Sequence, residues 1–555
     1  MARTDRRRRF APHMETLEGR EVPAVTAQFA AGTGVLTVNG DDLANTITVG
    51  RTQDGVLTIN GGTVSVAGQT PRIGTVTRIQ VFGLGGDDKI ALDEINGPLP
   101  GASLVGGLGS DTLLGGVGRD QIFGDAGDDT VDAGRGDDRV FLGAGNDQFN
   151  WDPGEGSDVV DGDAGFDVMA FNGSGADETF KLGAVKTRLR LTRDVGAISM
   201  SVGTVERVTV AAVGGADTIT LNDLAGTGVQ DVRAELEAVK GGGAADDKTD
   251  RVILNGTAQD DFVDTLATGG NLFVLGLPTF VTVAHAAAAD ELAVNTLGGN
   301  DRVSASGVAE GVIRFTADGG AGNDNLSGTN GPDTLVGGAG NDFADGQRGN
   351  DVVLMGDGAD IFSWSADDGS DVIEGGAGAD AMTVSGSAAN EVVTMSAIGA
   401  RFRLTRDVDA AALDANDVES ASFFSFGGAD RVVLNDLGGT DVKRVDLSLF
   451  DFGVPGGNAD TVVVNGTNGA DTVRAASANG TVTVTGLAAE VRITGTEAAG
   501  DRLEVNSLGG ADTIDSTGLE AAEMRFLGNG GAGDDVLLGG AGDDVFAGGE
   551  DVVSG

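Results

Sequence analysis

The chain has 555 residues, no cysteine, no tyrosine, 95 glycines, and 85 acidic against 36 basic side chains, a formal net charge of −49. The missing cysteine excludes a disulfide framework and thiol chemistry, and the excess of carboxylates excludes a nucleic-acid surface, which needs clustered Lys and Arg. With 40% hydrophobic but only 5% aromatic residues, a core is available if it is built of thin β layers, and the acidity favours cations as partners.

Residues 1–34 read as a disordered basic tail or an export segment. Arg6 to Arg9 and Phe10 precede a weakly apolar stretch, Val22 to Ala31, with a faint likeness to a twin-arginine signal. No run approaches 18 apolar residues, so no transmembrane segment is predicted. Residues 35–105 form a first β module with an Asn39-Gly40 turn and a Gly-Gly-x-Asp corner ending at Asp88.

Gly106 to Asn150 then divides into five nine-residue units, each with Asp sixth and an apolar residue eighth. The sixth places are Asp111, Asp120, Asp129, Asp138 and Asp147; the eighth are Leu113, Ile122, Val131, Val140 and Phe149. Decayed units carry the block to residue 170, and Trp151 is expected to cap the coil. Residues 171–251 and 252–318 are two more β modules. A second block over 319–383 places Asp324, Asp333, Asp342, Asp351 and Asp360 sixth, and Trp364 stands where Trp151 stood. Modules over 384–461 and 462–529 follow, then a truncated third block over 530–555 with Asp535 and Asp544 sixth.

The modules repeat as well. Leu191-Thr-Arg-Asp-Val195 returns as Leu404-Thr-Arg-Asp-Val408 and Trp151 returns as Trp364, both 213 residues on. Turns at Asn39, Asn172, Asn255, Ser385 and Asn465 read as hairpins. Each precedes a corner aspartate, namely Asp88, Asp217, Asp301, Asp430 or Asp512. These corners lack a stacked nonapeptide neighbour, so they read as plain turns. The Asn-Gly-Thr triplets at Asn255 and Asn465 fit a glycosylation acceptor, although a turn accounts for them better. Val232 to Val239 could pass for a helix, but its counterpart at Val442 to Leu449 alternates, so both read as strands.

Glycine reaches positive φ without a Cβ penalty, so a Gly-x-Gly-x turn can curl its carbonyls toward one point, and the following Asp adds a carboxylate. Oxygen-only donors with flexible geometry suit Ca²⁺. Gly106 to Asn150 holds nine Asp and three Arg, and stacking those carboxylates without a cation would be self-repulsive. The tandem Gly-Gly-x-Gly-x-Asp-x-apolar-x units resemble the RTX, or haemolysin-type, calcium-binding repeat family. That resemblance implies an all-β, elongated chain in which parallel β-roll blocks alternate with β-strand-rich modules, with Ca²⁺ at the twelve sixth-place aspartates between turns stacked two repeats apart.

Catalysis has little material to work with. Only His13 and His285 occur, His-Glu-x-x-His and Gly-x-Ser-x-Gly are absent, and no Gly-Lys dipeptide is available for a P-loop. Gly528 to Gly533 satisfies Gly-x-Gly-x-x-Gly but feeds a nonapeptide, so it reads as chance. The chain is therefore expected to be a non-enzymatic, secreted or cell-surface structural protein that binds calcium ions. A calcium-dependent adhesin for surface glycans or matrix is the alternative, and a polysaccharide-acting enzyme the competing class.

Overall fold

A nine-residue period places one short strand per unit, and two units close one coil, so residues 18 apart should stack. In the computed structural model they do. Leu113 faces Val131 and Val131 faces Phe149 in parallel register in one sheet. Leu104, Ile122 and Val140 stack likewise in the other, and Val160 continues that stack 20 residues on. All seven side chains are fully buried, each contributing about 1.5–3 kcal/mol of apolar burial. The eighth place is the core position, and the fold is a parallel β-roll. No α-helix occurs among the described residues, and no helix there is long and apolar enough to cross a membrane.

The structure describes residues 25–451, 454–455, 457–540, 542, 544–548 and 552–554. The arginine run and the likeness to an export signal lie outside them. Thr26–Ala30, inside the stretch expected as tail, is a strand paired antiparallel with Val35–Asn39. By internal contacts the chain divides into two units, residues 1–150 with 158–165, and residues 151–157 with 166–555.

In the first unit the ladder passes straight from module to block. Arg78–Gly85 pairs with Ala102–Leu108, which pairs with Gln121–Ala126. Lys89–Asp93 joins Thr46–Arg51 to Thr112–Gly116 in the other sheet. The expected border at residue 105 falls inside a strand.

The second unit is built the same way, with one addition in each module. Arg401–Arg406 runs antiparallel to both neighbours, Val392–Ile398 and Ala412–Asn416, in an otherwise parallel sheet. Arg188–Arg193, Asn271–Leu275 and Thr481–Thr485 do the same in their modules. A module is thus a coil widened by one reversed strand. These are the true hairpins, and Asn479-Gly480 closes one of them with both residues at positive φ, as a tight hairpin turn requires.

That corrects the expected hairpins at the Asn-Gly and Ser-Gly turns. Asn255 ends a strand that continues as a parallel coil against Asn295, and Asn465 does so against Asn506. Their amides form side-chain ladders, Asn295 donating to Asn255 and Asn255 to Asn222 at 2.9 Å each. The fixed amides explain these asparagines without glycosylation. Asp231–Glu237 and Arg444–Ser448 are strands, as their alternation indicated. Trp364 does not end its coil, because Ile361–Trp364 pairs onward with Ala381–Ser385.

Candidate metal centre

Coil stacking brings the sixth places into rows. In the first block, Asp111 N–H donates to Asp129 Oδ1 and Asp129 N–H to Asp147 Oδ1, both at 2.7 Å. A second row, from the other edge of the coil, runs from Asp120 to Asp138 at 2.7 Å and on to Asp158 at 2.8 Å. The second block repeats this through Asp324, Asp342, Asp360 and Asp380, and through Asp333, Asp351 and Asp371. Asp512 N–H reaches Asp535 Oδ1 at 2.9 Å at the head of the third. Of the twelve expected residues all but Asp544 are buried, and Asp544 is half-buried.

The rows use only one oxygen of each carboxylate. Oδ2 of Asp111, Asp129, Asp138, Asp324, Asp342, Asp351, Asp360 and Asp535 is buried and accepts no hydrogen bond. At Asp111, Asp129 and Asp342 it faces another acceptor. Over Gly124, Asp129 Oδ2 and the Leu142 carbonyl stand 2.3 and 2.2 Å from the point a Cβ would occupy; over Gly106, Asp111 Oδ2 and the Gly124 carbonyl stand at 2.2 and 2.9 Å. Over Gly337 the pair is Asp342 Oδ2 and the Met355 carbonyl, at 2.6 and 2.4 Å. A side chain in the first place would fill each cradle. Two oxygens converging without a donor between them need a proton or a cation, since an orphaned buried acceptor costs about 1–3 kcal/mol and an unpaired charge more. A hard, oxygen-seeking ion fits this donor set.

Three expected residues differ. Asp120 Oδ2 accepts from Gly116 N–H at 2.9 Å, Asp544 Oδ2 from Gly540 N–H at 2.6 Å, and Asp333 from the Thr329 N–H and hydroxyl. Protein donors already satisfy those carboxylates.

The electrostatics follow the geometry. Burial pushes Asp129 up to about 7 against the single backbone hydrogen bond from Asp111, with the charges of Asp111, Asp147 and Asp125 adding to the rise. Burial likewise lifts Asp138 to about 8 and Asp351 to about 9, the latter helped by the charge of Asp371. At neutral pH each such site therefore holds a proton or a metal ion in preference to standing ionised and alone.

Several row members were not singled out from the sequence. Asp158 and Asp371 are sixth in units whose glycines have decayed, whereas Asp380 is sixth in Gly375 to Thr383, which keeps them; the sixth position is the available signal. The five corners, expected as unstacked turns, are stacked in the structure. Asp88 N–H donates to Asp111 Oδ1 at 2.7 Å, Asp301 to Asp324 and Asp217 to Asp250 at 2.8 Å. Oδ2 of Asp88, Asp217, Asp301, Asp430 and Asp512 is buried without a partner. The stacking arises because parallel coils of 23 or more residues close onto the blocks, a spacing that no search for a nine-residue period detects.

Two coils carry their own cation. Glu178 and Glu391 take the sixth place, and the buried guanidinium groups of Arg193 and Arg406 pair with them. The same guanidiniums lie 5.5 and 5.4 Å from the rings of Trp151 and Trp364, a favourable cation–π arrangement. Trp151 also stacks on Phe171, with ring centroids 4.1 Å apart. The tryptophans thus wall a buried ion pair.

No curated protein matches the chain. The family described as RTX calcium-binding nonapeptide repeat matches residues 105–140, 114–149, 154–169, 318–353, 365–386 and 528–552. These segments contain eleven of the twelve sixth-place aspartates, all but Asp360, so the chain carries RTX calcium-binding nonapeptide repeats folded as a parallel β-roll.

Proposed function

We propose that this is a secreted or cell-surface structural protein whose coils become rigid when Ca²⁺ enters the aspartate rows. The observation that carries the reading is the pairing of a buried, unpartnered Asp Oδ2 with a main-chain carbonyl over a first-place glycine, repeated at Gly106, Gly124 and Gly337. Each such pair is a site in which a divalent ion replaces a missing donor. A structural role also accords with His285, whose Nδ1 lies 3.0 Å from Glu235 within a β scaffold. Far-UV circular dichroism during a Ca²⁺ titration tests the folding claim, and protease accessibility on intact cells tests the location. Ellipticity and melting that are identical in EGTA and in millimolar Ca²⁺ would remove the basis of the proposal.

A second reading, calcium-dependent adhesion to surface glycans or matrix, is favoured by one observation. An open groove of about 500 Å³ in the second unit is lined by Phe424, Phe450, Asp446, Thr481 and Arg492, apolar faces beside a few polar groups as in small-ligand sites. A glycan array probed with and without Ca²⁺, with the Arg492→Ala variant alongside, tests it. No calcium-dependent signal from the parent protein would discard the adhesin.

A further inference from the structure

Asp88 lies outside the matched segments, yet its surroundings reproduce those of the block aspartates. Its carboxylate is 3% exposed, Oδ1 accepts from Asn45 N–H at 2.7 Å, and Oδ2 has no partner. Over Gly83, Asp88 Oδ2 and the Gly106 carbonyl stand 2.1 and 2.4 Å from the point a Cβ would take. That arrangement matches the one over Gly124. The charges that act on Asp88 are those of Asp41 and Asp87, both negative, so nearby protein charge deepens the need for a cation.

The turn also keeps the shape of a nonapeptide turn. Leu84 fills the second place at φ 82° and Gly86 the fourth at φ 86°, so a leucine takes a backbone conformation that costs an L residue about 1 kcal/mol or more. The equivalent corners solve the same problem in another way. At Asp301 and Asp512 the place of Gly83 is taken by Thr296 and Ser507, and their hydroxyls donate to the Gly319 and Gly530 carbonyls at 3.0 and 2.9 Å. Protein supplies a donor to the facing carbonyl there, so the carbonyl is no longer free for a cation. At Asp217 and Asp430 the preceding coil holds Glu178 or Glu391 with its own guanidinium. Only the Asp88 corner lacks, among the described residues, both devices.

We propose that the Gly83–Asp88 turn is a further divalent-cation site, taking Ca²⁺ between the Asp88 carboxylate and the Gly106 carbonyl, one coil upstream of the first block. The proposal rests on the calcium reading of the blocks, and the experiment separates the two. Bound Ca²⁺ is counted by competitive chelator titration on the full chain for the parent, Asp88→Asn, Asp301→Asn and Asp129→Asn. Asp88→Asn keeps an acceptor for Asn45 N–H and is expected to bind at least one ion fewer, while Asp301→Asn keeps the parental count. Gly83→Ser, which copies the arrangement at Ser507, gives a second route to the same loss and guards against a folding defect in the first variant. Parental stoichiometry in both Asp88→Asn and Gly83→Ser, with ions lost in Asp129→Asn, overturns the site and leaves the blocks intact. An equal loss in Asp301→Asn refutes the role given to the Thr296 hydroxyl and with it the assignment to the Gly83 cradle. No loss in any variant removes the block reading as well.

Discussion

Replacing Asp129 by Asn should move stability in opposite directions with and without calcium. The amide is isosteric, so its oxygen can still accept the Asp111 N–H, while its nitrogen becomes a donor facing the Leu142 carbonyl over Gly124. Without metal, the variant removes a buried carboxylate whose desolvation costs several kcal/mol after relaxation and gains a hydrogen bond worth about 1 kcal/mol. Wild type recovers only about 0.2 kcal/mol by taking up a proton at pH 7.5, since burial lifts Asp129 to about 7, and the buried amide brings its own desolvation cost of about 1–3 kcal/mol; a net gain on the order of 2 kcal/mol remains. With Ca²⁺ at ten times Kd, each ion contributes about 1.4 kcal/mol. Asp129 lies between Asp111 and Asp147 in its row, so loss of two shared ions would cost about 3 kcal/mol. A stacked array of this length need not unfold in one step, so amide hydrogen exchange over residues 106–150 is the suitable assay. Slower exchange than wild type in EGTA and faster exchange in millimolar Ca²⁺ is expected. A variant less protected in both conditions, or unchanged in calcium, would refute the reasoning.

Trypsin in excess EGTA should cut first at Arg119, Arg135, Arg139 and Arg348, and millimolar Ca²⁺ should protect those bonds; equal cleavage in both conditions would reduce the aspartates to turn residues. Metal-free protein should lose stability as pH rises, because Asp129 and Asp138 bind protons up to about 7 and 8 when folded but only to about 3.8 when unfolded. Their contribution is complete below about pH 4 and gone above about pH 8, so thermal melting in EGTA should occur at higher temperature at pH 5 than at pH 8.5, while calcium affinity rises over the same range. Arg406→Met should cost about 3–5 kcal/mol, whether or not Ca²⁺ is present, by leaving Glu391 buried and unpaired; a calcium-dependent cost in denaturant titration would contradict the built-in cation. Gly124→Ala drives a methyl to within about 2.2 Å of the Leu142 carbonyl, and calorimetry should register lost calcium as well as lost stability.

Much of the roll was legible because its period is short. Leu113, Val131 and Phe149 announce one face and Ile122 and Val140 the other, since a residue every nine must return to the same wall when two units close a coil. The rows of Asp111 and Asp120 follow from that register without further information. What the sequence concealed were coils of unequal length. Asp88 lies 23 residues from Asp111 and Asp217 lies 33 from Asp250, so their stacking has no fixed period. Asn255-Gly256 misled for a related reason. Asn-Gly favours a reversal of direction, but the Asn222–Asn255–Asn295 ladder holds the corner of a parallel coil, and a contact 40 residues away outweighs a dipeptide preference. The Glu178–Arg193 pair was hidden because Glu stands for Asp and its partner arrives on a reversed strand.

That reversed strand bears on a hazard peculiar to tandem repeats. A nonapeptide block slipped by one coil would set Leu113 opposite Phe149 in place of Val131, still apolar against apolar, and each Asp would still meet an Asp, so the block alone discriminates poorly between alignments. Arg401–Arg406 breaks the degeneracy, because a single antiparallel strand has one possible slot between Val392–Ile398 and Ala412–Asn416. The modules can thus act as clamps on threading. Deleting residues 392–416 would be expected to leave a chain that still binds calcium but settles into several alignments, a heterogeneity that single-molecule unfolding would resolve as a spread of contour lengths in steps of one coil.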